Sequence, residues 1–142
     1  MVSLAGERAY LDTSTVIYAI EGYAQYPNLK AALLDPLDAG AFTAVTSEIT
    51  VVETVVGPRK LGDLTNEAKY RVFLTPSQNL ITEPITMVVL EKVIELRAKY
   101  GLKIPDAIHL ATGILANCSV FVTRDASWSK VGVTVAEPQD LG

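Results

Sequence analysis

Cysteine is nearly missing from this chain of 142 residues: the single Cys118 excludes an internal disulfide. No His or Cys stands near it at metal-ligand spacing, so Cys118 reads as a small buried hydrophobe ahead of the apolar run SVFVT. Long apolar runs are missing too. Residues are 49% hydrophobic and mean hydropathy is positive, yet no uncharged stretch approaches the roughly 18 residues of a membrane span. The opening MVSLAGERAY lacks a basic segment followed by an apolar core, so it does not read as a secretory signal. A soluble cytoplasmic protein without membrane contact is expected. Positive charge is not in excess either. A net charge of −4 and a pI near 4.9 argue against phosphate-driven binding of nucleic acid by the whole surface. Basic residues do crowd locally, as Lys92, Arg97, Lys99 and Lys103 and as Arg59-Lys60, but each cluster reads first as a solvated helix face. Repeats, low-complexity tracts and linkers are absent. One domain over residues 1–142, large enough for a real core, is the expectation.

What is present is an alternation of strand and helix signals. RAYLD (8–12) reads as a short buried strand and STVIYAIEG as a helix ending at Gly22. A second helix is expected from Pro27 to about Asp38, then a strand in AFTAVT (41–46). Ser47 is a good N-cap for a helix that should stop at Gly57-Pro58. TNEAKYRVFLT (65–75) looks helical, and LITEPI (80–85) is a strand candidate. The long helix from about Ile85 to Tyr100 has a stripe of Val88, Val89, Val93, Leu96 and Tyr100 as its expected core face. PDAIHLATGILANC (105–118) is a further helix with Pro105 in its first turn, and SVFVT (119–123) and VGVTVA (131–136) are the last strands. Uninterrupted apolar strands separated by helices indicate an α/β fold with a mostly parallel sheet covered on both faces.

In such sheets ligands bind beyond the carboxyl ends of the strands. Four acids fall there or within reach: Asp12 ends the first strand, Asp106 opens a helix after Pro105, and Asp125 lies just past SVFVT. The fourth, Glu53, interrupts the run TVVETVV about two turns into the helix after the second strand. Asp12, Asp106 and Asp125 stand where Asp also caps a helix or complements its dipole. Glu48, beside Ser47 in a first turn, is explained that way and is set aside; mid-helix Glu53 is not. Carboxylates crowded together repel. A pair ~4 Å apart costs about 4 kcal/mol at an effective dielectric near 20. Such a cluster persists when members are protonated or a cation neutralises them, and without a Cys/His set a hard, oxygen-seeking ion such as Mg2+ or Mn2+ fits. An acid-held divalent cation in a strand-end cleft suggests phosphoryl chemistry.

The stretches YLDTSTVIYAIEG, VTSEITVVETVVGPRK, LKIPDAIHLATGILANC and VFVTRDASW resemble, in that order and over nearly the whole chain, the PIN-domain family, especially its small bacterial VapC-type toxins. PDAIHLAT followed by TRD is the more specific part. The resemblance implies a three-layer fold with about five strands and metal-dependent hydrolysis of RNA. It marks Asp12, Glu53, Asp106 and Asp125 as the acidic site for Mg2+ or Mn2+. Ser14 and Thr123 fall at positions of small polar residues that bind water or orient carboxylates. It further implies attack of water on a phosphodiester, with one acid such as Asp106 taking the proton, and products with 5′-phosphate and 3′-hydroxyl ends. A small antitoxin protein that blocks the cleft and a homodimer are the implied partners beside the RNA substrate. Many members carry a further acid close to the last aspartate. The run Asp125-Ala-Ser-Trp128 has none, which counts against a second ion. Substrate contact would fall to Arg97, Lys99, Lys103 and Arg124. His109, three residues after Asp106, reads as a packed histidine supporting the site rather than as a catalytic group.

Other readings explain less. A haloacid-dehalogenase-type phosphatase needs a second aspartate two residues after the first, where Ser14 stands. A receiver domain needs a lysine that neither SVFVTRD nor VGVTVAE supplies. A housekeeping RNA-processing nuclease, or a non-catalytic PIN-like module for protein or RNA contact, is the remaining alternative. The presence of all four acids weighs against the module.

Overall fold

A computed structural model describes all 142 residues. Five parallel strands form one sheet in the order β3-β2-β1-β4-β5, with β1 Arg8–Leu11, β2 Thr43–Ser47, β3 Leu80–Glu83, β4 Val120–Val122 and β5 Val135–Ala136. Helices α1 (Thr13–Glu21), α2 (Asp35–Asp38), α3 (Glu48–Leu61) and α4 (Leu64–Leu74) precede β3; α5 (Met87–Tyr100) and α6 (Ile104–Leu115) lie between β3 and β4.

The strand sequences explain the three layers. Side chains alternate across a strand, and here both faces are apolar. Ala9 and Leu11 of β1, Ala44 of β2 and Val120 and Val122 of β4 join Val16, Leu33, Leu37, Val55 and Tyr70 in one core under α1–α4. Tyr10, Val45 and Phe121 turn the other way, into a second core with Val89, Val93 and Leu96 of α5 and Ala107, Leu110 and Ala111 of α6. Gly113 lets α6 lie close on the sheet: a Cβ there would fall 2.2 Å from Phe121 Cε2 and 3.1 Å from Tyr10 Cδ2. The chain runs from β1 outward to β2 and β3, then returns to the other side of β1 for β4 and β5. The carboxyl ends of β1 and β4 therefore flank the switch point, where an open α/β sheet has its natural crevice.

Four local expectations need correction. The helix carrying Glu53 does not stop at Gly57-Pro58 but runs to Leu61, with Gly62 as its left-handed cap. A residue before proline is pushed out of the helical region by its own Cβ, which Gly57 lacks. Glu67 then ties Arg59 in the last turn of α3 to α4, with an Nε–Oε1 distance of 2.7 Å. The helix expected from Pro27 begins at Lys30 with a π-helical segment, Lys30–Leu34, that leads into α2. In α5 only Val89, Val93 and Leu96 of the expected stripe are buried; Val88 and Tyr100 are exposed. VGVTVA yields only the two residues of β5, because a 3-10 helix (Ala126–Val131) and Gly132, at φ +91°, occupy its start.

Candidate active site

The four acids arrive at the crevice on four different elements, and they are not held alike. Asp12 follows β1 directly and N-caps α1: its Oδ1 accepts from the Thr15 amide at 2.8 Å. Its Oδ2 accepts from Thr123 Oγ1 at 2.6 Å, so the carboxylate is buried with both oxygens engaged. Thr123, just past β4, also accepts the Asp125 amide at 3.0 Å and so joins the ends of two neighbouring strands.

Glu53 is half-buried. Its Oε1 accepts from Thr13 Oγ1 at 2.6 Å and lies 3.0 Å from His109 Nε2. The His109 bond first, and the Thr13 bond second, hold its carboxyl below the usual carboxylate range, against the opposing effect of burial. Asp106, in the first turn of α6, has no hydrogen-bond partner. Burial and then the neighbouring Asp125 charge push its carboxyl upward, and Glu53 adds to the push. Asp125 is exposed and caps the 3-10 helix, accepting the Ser127 amide at 3.0 Å and the Ser127 hydroxyl on Oδ1.

Ser14 sits half-buried on α1 without a hydrogen bond, and Thr13 beside it makes the carboxylate contact instead. With Asp12 as N-cap, helix phase turns the first residue of α1, not the second, toward α3; the LDTS pattern alone does not separate them. His109 is buried, as the reading of a packed histidine requires, yet both ring nitrogens have partners: Tyr10 Oη lies 2.6 Å from Nδ1. Tyr10 had no signal in the sequence, since it looks like one more apolar strand residue. Glu48 stays outside the site, accepting the Ile85 amide at 2.9 Å.

The donor set suits a hard divalent cation in kind: every candidate is a carboxylate, and no lysine or arginine neutralises any of the four by an ion pair. Asp106 supplies the physical sign of fit, a carboxyl without a protein hydrogen bond that burial, and then the Asp125 charge, push upward. The four are a loose cluster: no three converge closely enough to form a ready ligand shell. Among the basic candidates, Arg97 is spent on the Leu102 carbonyl and Lys99 lies over the Tyr100 ring. Arg124, next to Asp125, donates to Tyr18 Oη at 3.1 Å and pairs with no carboxylate. Lys103 immediately precedes α6 and is close enough to draw the Asp106 carboxyl slightly back down.

Comparison with known proteins agrees with this fold. The solved structures that match include a toxin–antitoxin complex from Klebsiella pneumoniae, 28% identical, covering 94% of this chain and 99% of that one with a TM-score of 0.70. DNA-bound VapBC from Salmonella typhimurium matches at 17% identity and a TM-score of 0.74, over 93% and 98% of the two chains. VapC20 of Mycobacterium tuberculosis, a sarcin-ricin loop cleaving toxin, matches at 19% identity and 0.64, over 89% and 96%. No curated protein sequence matches. The model of the PIN domain matches residues 9–133, a span that holds all four acids and the first four strands nearly entire, and the chain belongs to the PIN domain family.

Proposed function

We propose that this protein is a Mg2+- or Mn2+-dependent ribonuclease and the toxin of a toxin–antitoxin pair. The observation that carries the reading is the loose grouping of Asp12, Glu53, Asp106 and Asp125 about the carboxyl ends of β1 and β4, with Asp106 free of protein hydrogen bonds and its carboxyl raised by burial and by Asp125. A bound divalent ion supplies Lewis-acid stabilisation of phosphate charge and makes water a better nucleophile near neutral pH. Asp12 and Glu53 give it two carboxylates whose positions are already set by Thr15, Thr123, Thr13 and His109. Asp106 and Asp125 complete the donor set from the more open side. Asp106, the acid whose carboxyl is raised, is the group suited to take the proton from the attacking water. Arg124 and Lys103, flanking the acids, are the cations available to a phosphodiester backbone, and the products would carry 5′-phosphate and 3′-hydroxyl ends.

The antitoxin partner rests on the relatives, several of which are toxin–antitoxin complexes. A groove of about 660 Å3 between α1, α2 and α4, lined by Ile20, Leu34, Leu37, Val72 and Phe73, has the apolar character to seat part of such a partner. Exposed Met87, Val88 and Ile94 on α5 favour a homodimer through that helix.

Calorimetric titration of Mn2+ into the wild type and Asp106→Asn tests the metal, and cleavage of single-stranded RNA by the same two proteins tests the reaction. Saturable binding that the variant loses or greatly weakens, with cleavage lost in parallel, is the expected result. Absence of binding by the wild type at millimolar Mn2+ would overturn it in favour of a non-catalytic module.

A further inference from the structure

His109 is the chain's only histidine, and the proposed reaction has no direct use for it. Its surroundings are nevertheless specific. Tyr10 Oη, His109 Nδ1, His109 Nε2 and Glu53 Oε1 form one run of contacts, 2.6 Å at the tyrosine end and 3.0 Å at the carboxylate end. Tyr10 is fully buried, His109 is buried and stacks against Trp128 with ring centroids 6.0 Å apart, and only Glu53 at the end of the run meets the crevice.

The direction of the contact with the acid can be assigned. A carboxylate oxygen accepts, so across the 3.0 Å contact Nε2 is the donor to Glu53 Oε1. Tyr10 Oη, 2.6 Å from Nδ1, fixes the other side of the ring, and Thr13 Oγ1 lies 3.3 Å from Nε2 as well. Both contacts on Glu53, from His109 and from Thr13, fall on Oε1; Oε2 accepts from no protein donor. Gly113, one turn beyond His109, brings α6 close enough to the sheet for Tyr10 to reach the ring.

We propose that His109 is a positioning residue: clamped by Tyr10, it holds Glu53 Oε1 and so presents Oε2 as the oxygen offered to a divalent cation. This rests on the metal-site reading given above. Groups that hydrogen-bond a ligating side chain and orient it are typically worth about 10–100-fold in metal affinity. A histidine that merely fills space between Tyr10 and Trp128 would affect stability and leave affinity alone.

The two roles separate in a pair of variants. His109→Phe keeps an aromatic ring against Tyr10 and Trp128 but removes the donor; His109→Gln returns one N–H. By Mn2+ calorimetry, His109→Phe should bind about tenfold more weakly than wild type or worse, with His109→Gln recovering part of the loss. Should the phenylalanine variant fail to fold, His109→Met, which packs adaptably and also lacks a donor, takes its place. In the metal-free wild type, long-range 1H–15N correlation of the single imidazole should show a hydrogen on Nε2. Wild-type affinity in a donorless variant, or a bare Nε2 in the wild type, would overturn the role of His109 while leaving the metal site standing. A wild type with hydrogen on Nε2 that binds no Mn2+ would overturn the metal reading, and the role of Oε2 with it.

Discussion

The crevice has two unlike walls. On one, Asp12 and Glu53 are set by protein donors: a helix amide, two threonine hydroxyls and an imidazole. On the other, Asp106 receives no hydrogen bond and Asp125 bonds only within its own turn. The Glu53 carboxyl is held down and the Asp106 carboxyl is pushed up, although both belong to one acidic cluster. A carboxylate with donors around it has become part of the fold and arrives pre-oriented. One without them remains free to move, and the protein bears the cost of its burial and of its like-charged neighbour. A site with one preset wall and one adaptable wall needs no closed ligand shell in advance, which fits the looseness of the cluster.

The strongest way to break this contrast is to lift the helix that serves both walls. His109 and Asp106 ride on α6, and Gly113→Ala would drive a methyl to 2.2 Å from Phe121 Cε2. Overpacking of this kind costs about 1–3 kcal/mol or more. Urea unfolding should show that loss, and Mn2+ affinity should fall with it as His109 moves from Glu53. A stable variant with unchanged affinity would mean that the approach of α6 does not set the wall.

Alanine at single acids should then sort by wall. Asp12→Ala removes the N-cap of α1 and leaves Thr123 Oγ1 without its acceptor, so a loss of about 1–2 kcal/mol in urea unfolding is expected. Asp125→Ala, exposed and capping only a short 3-10 helix, should stay within about 0.5 kcal/mol of wild type. Both should lose Mn2+ binding. Thr123→Val sharpens the comparison because that hydroxyl joins the walls, donating to Asp12 and accepting from the Asp125 amide. About 1 kcal/mol of stability should go, and Mn2+ affinity should weaken although no ligand has been removed.

How much of this could be read in the sequence follows the same division. Strands β1, β2 and β4 are legible as apolar runs too short to be helices, and the acids after β1 and β4 mark the crevice because a parallel sheet binds at its carboxyl edge. Glu53 is legible because a carboxylate among valines needs a reason. What supports those acids is not. Thr13 and Ser14 are equivalent in the sequence until the phase of α1 is known, and Tyr10 is indistinguishable from the hydrophobes beside it. The spacing of His109 from Asp106 puts both on one face of α6, but the link of His109 to Glu53 depends on how closely α6 approaches the sheet. That closeness is set by Gly113, which in the sequence reads only as a weak spot in a helix. The boundary errors share this cause: whether Gly57-Pro58 ends a helix depends on a missing Cβ and on an ion pair to a helix not yet placed.

The smallest expected effect tests the contrast most directly, because its sign differs between the walls. Asp106 has a folded-state pKa raised above its usual 3.8, so its favourable contribution is complete below that value and is lost as pH rises through the folded value. At pH 7 the ionised group therefore opposes folding. Asp106→Asn, which cannot ionise, should melt slightly higher than wild type at pH 7 in chelator-containing buffer, by an amount within about 0.5 kcal/mol, and lose that advantage by pH 3. Glu53 has a lowered pKa: its contribution is complete above its usual 4.5 and is lost as pH falls through the folded value. Glu53→Gln should thus melt lower than wild type at pH 7, with the deficit shrinking under acid. Thermal melts of the three proteins at the two pH values give two differences of opposite sign if one wall is built and the other strained. Two differences of the same sign would mean that the walls are alike, and that burial and the Asp125 charge do not hold the Asp106 carboxyl above its ordinary value.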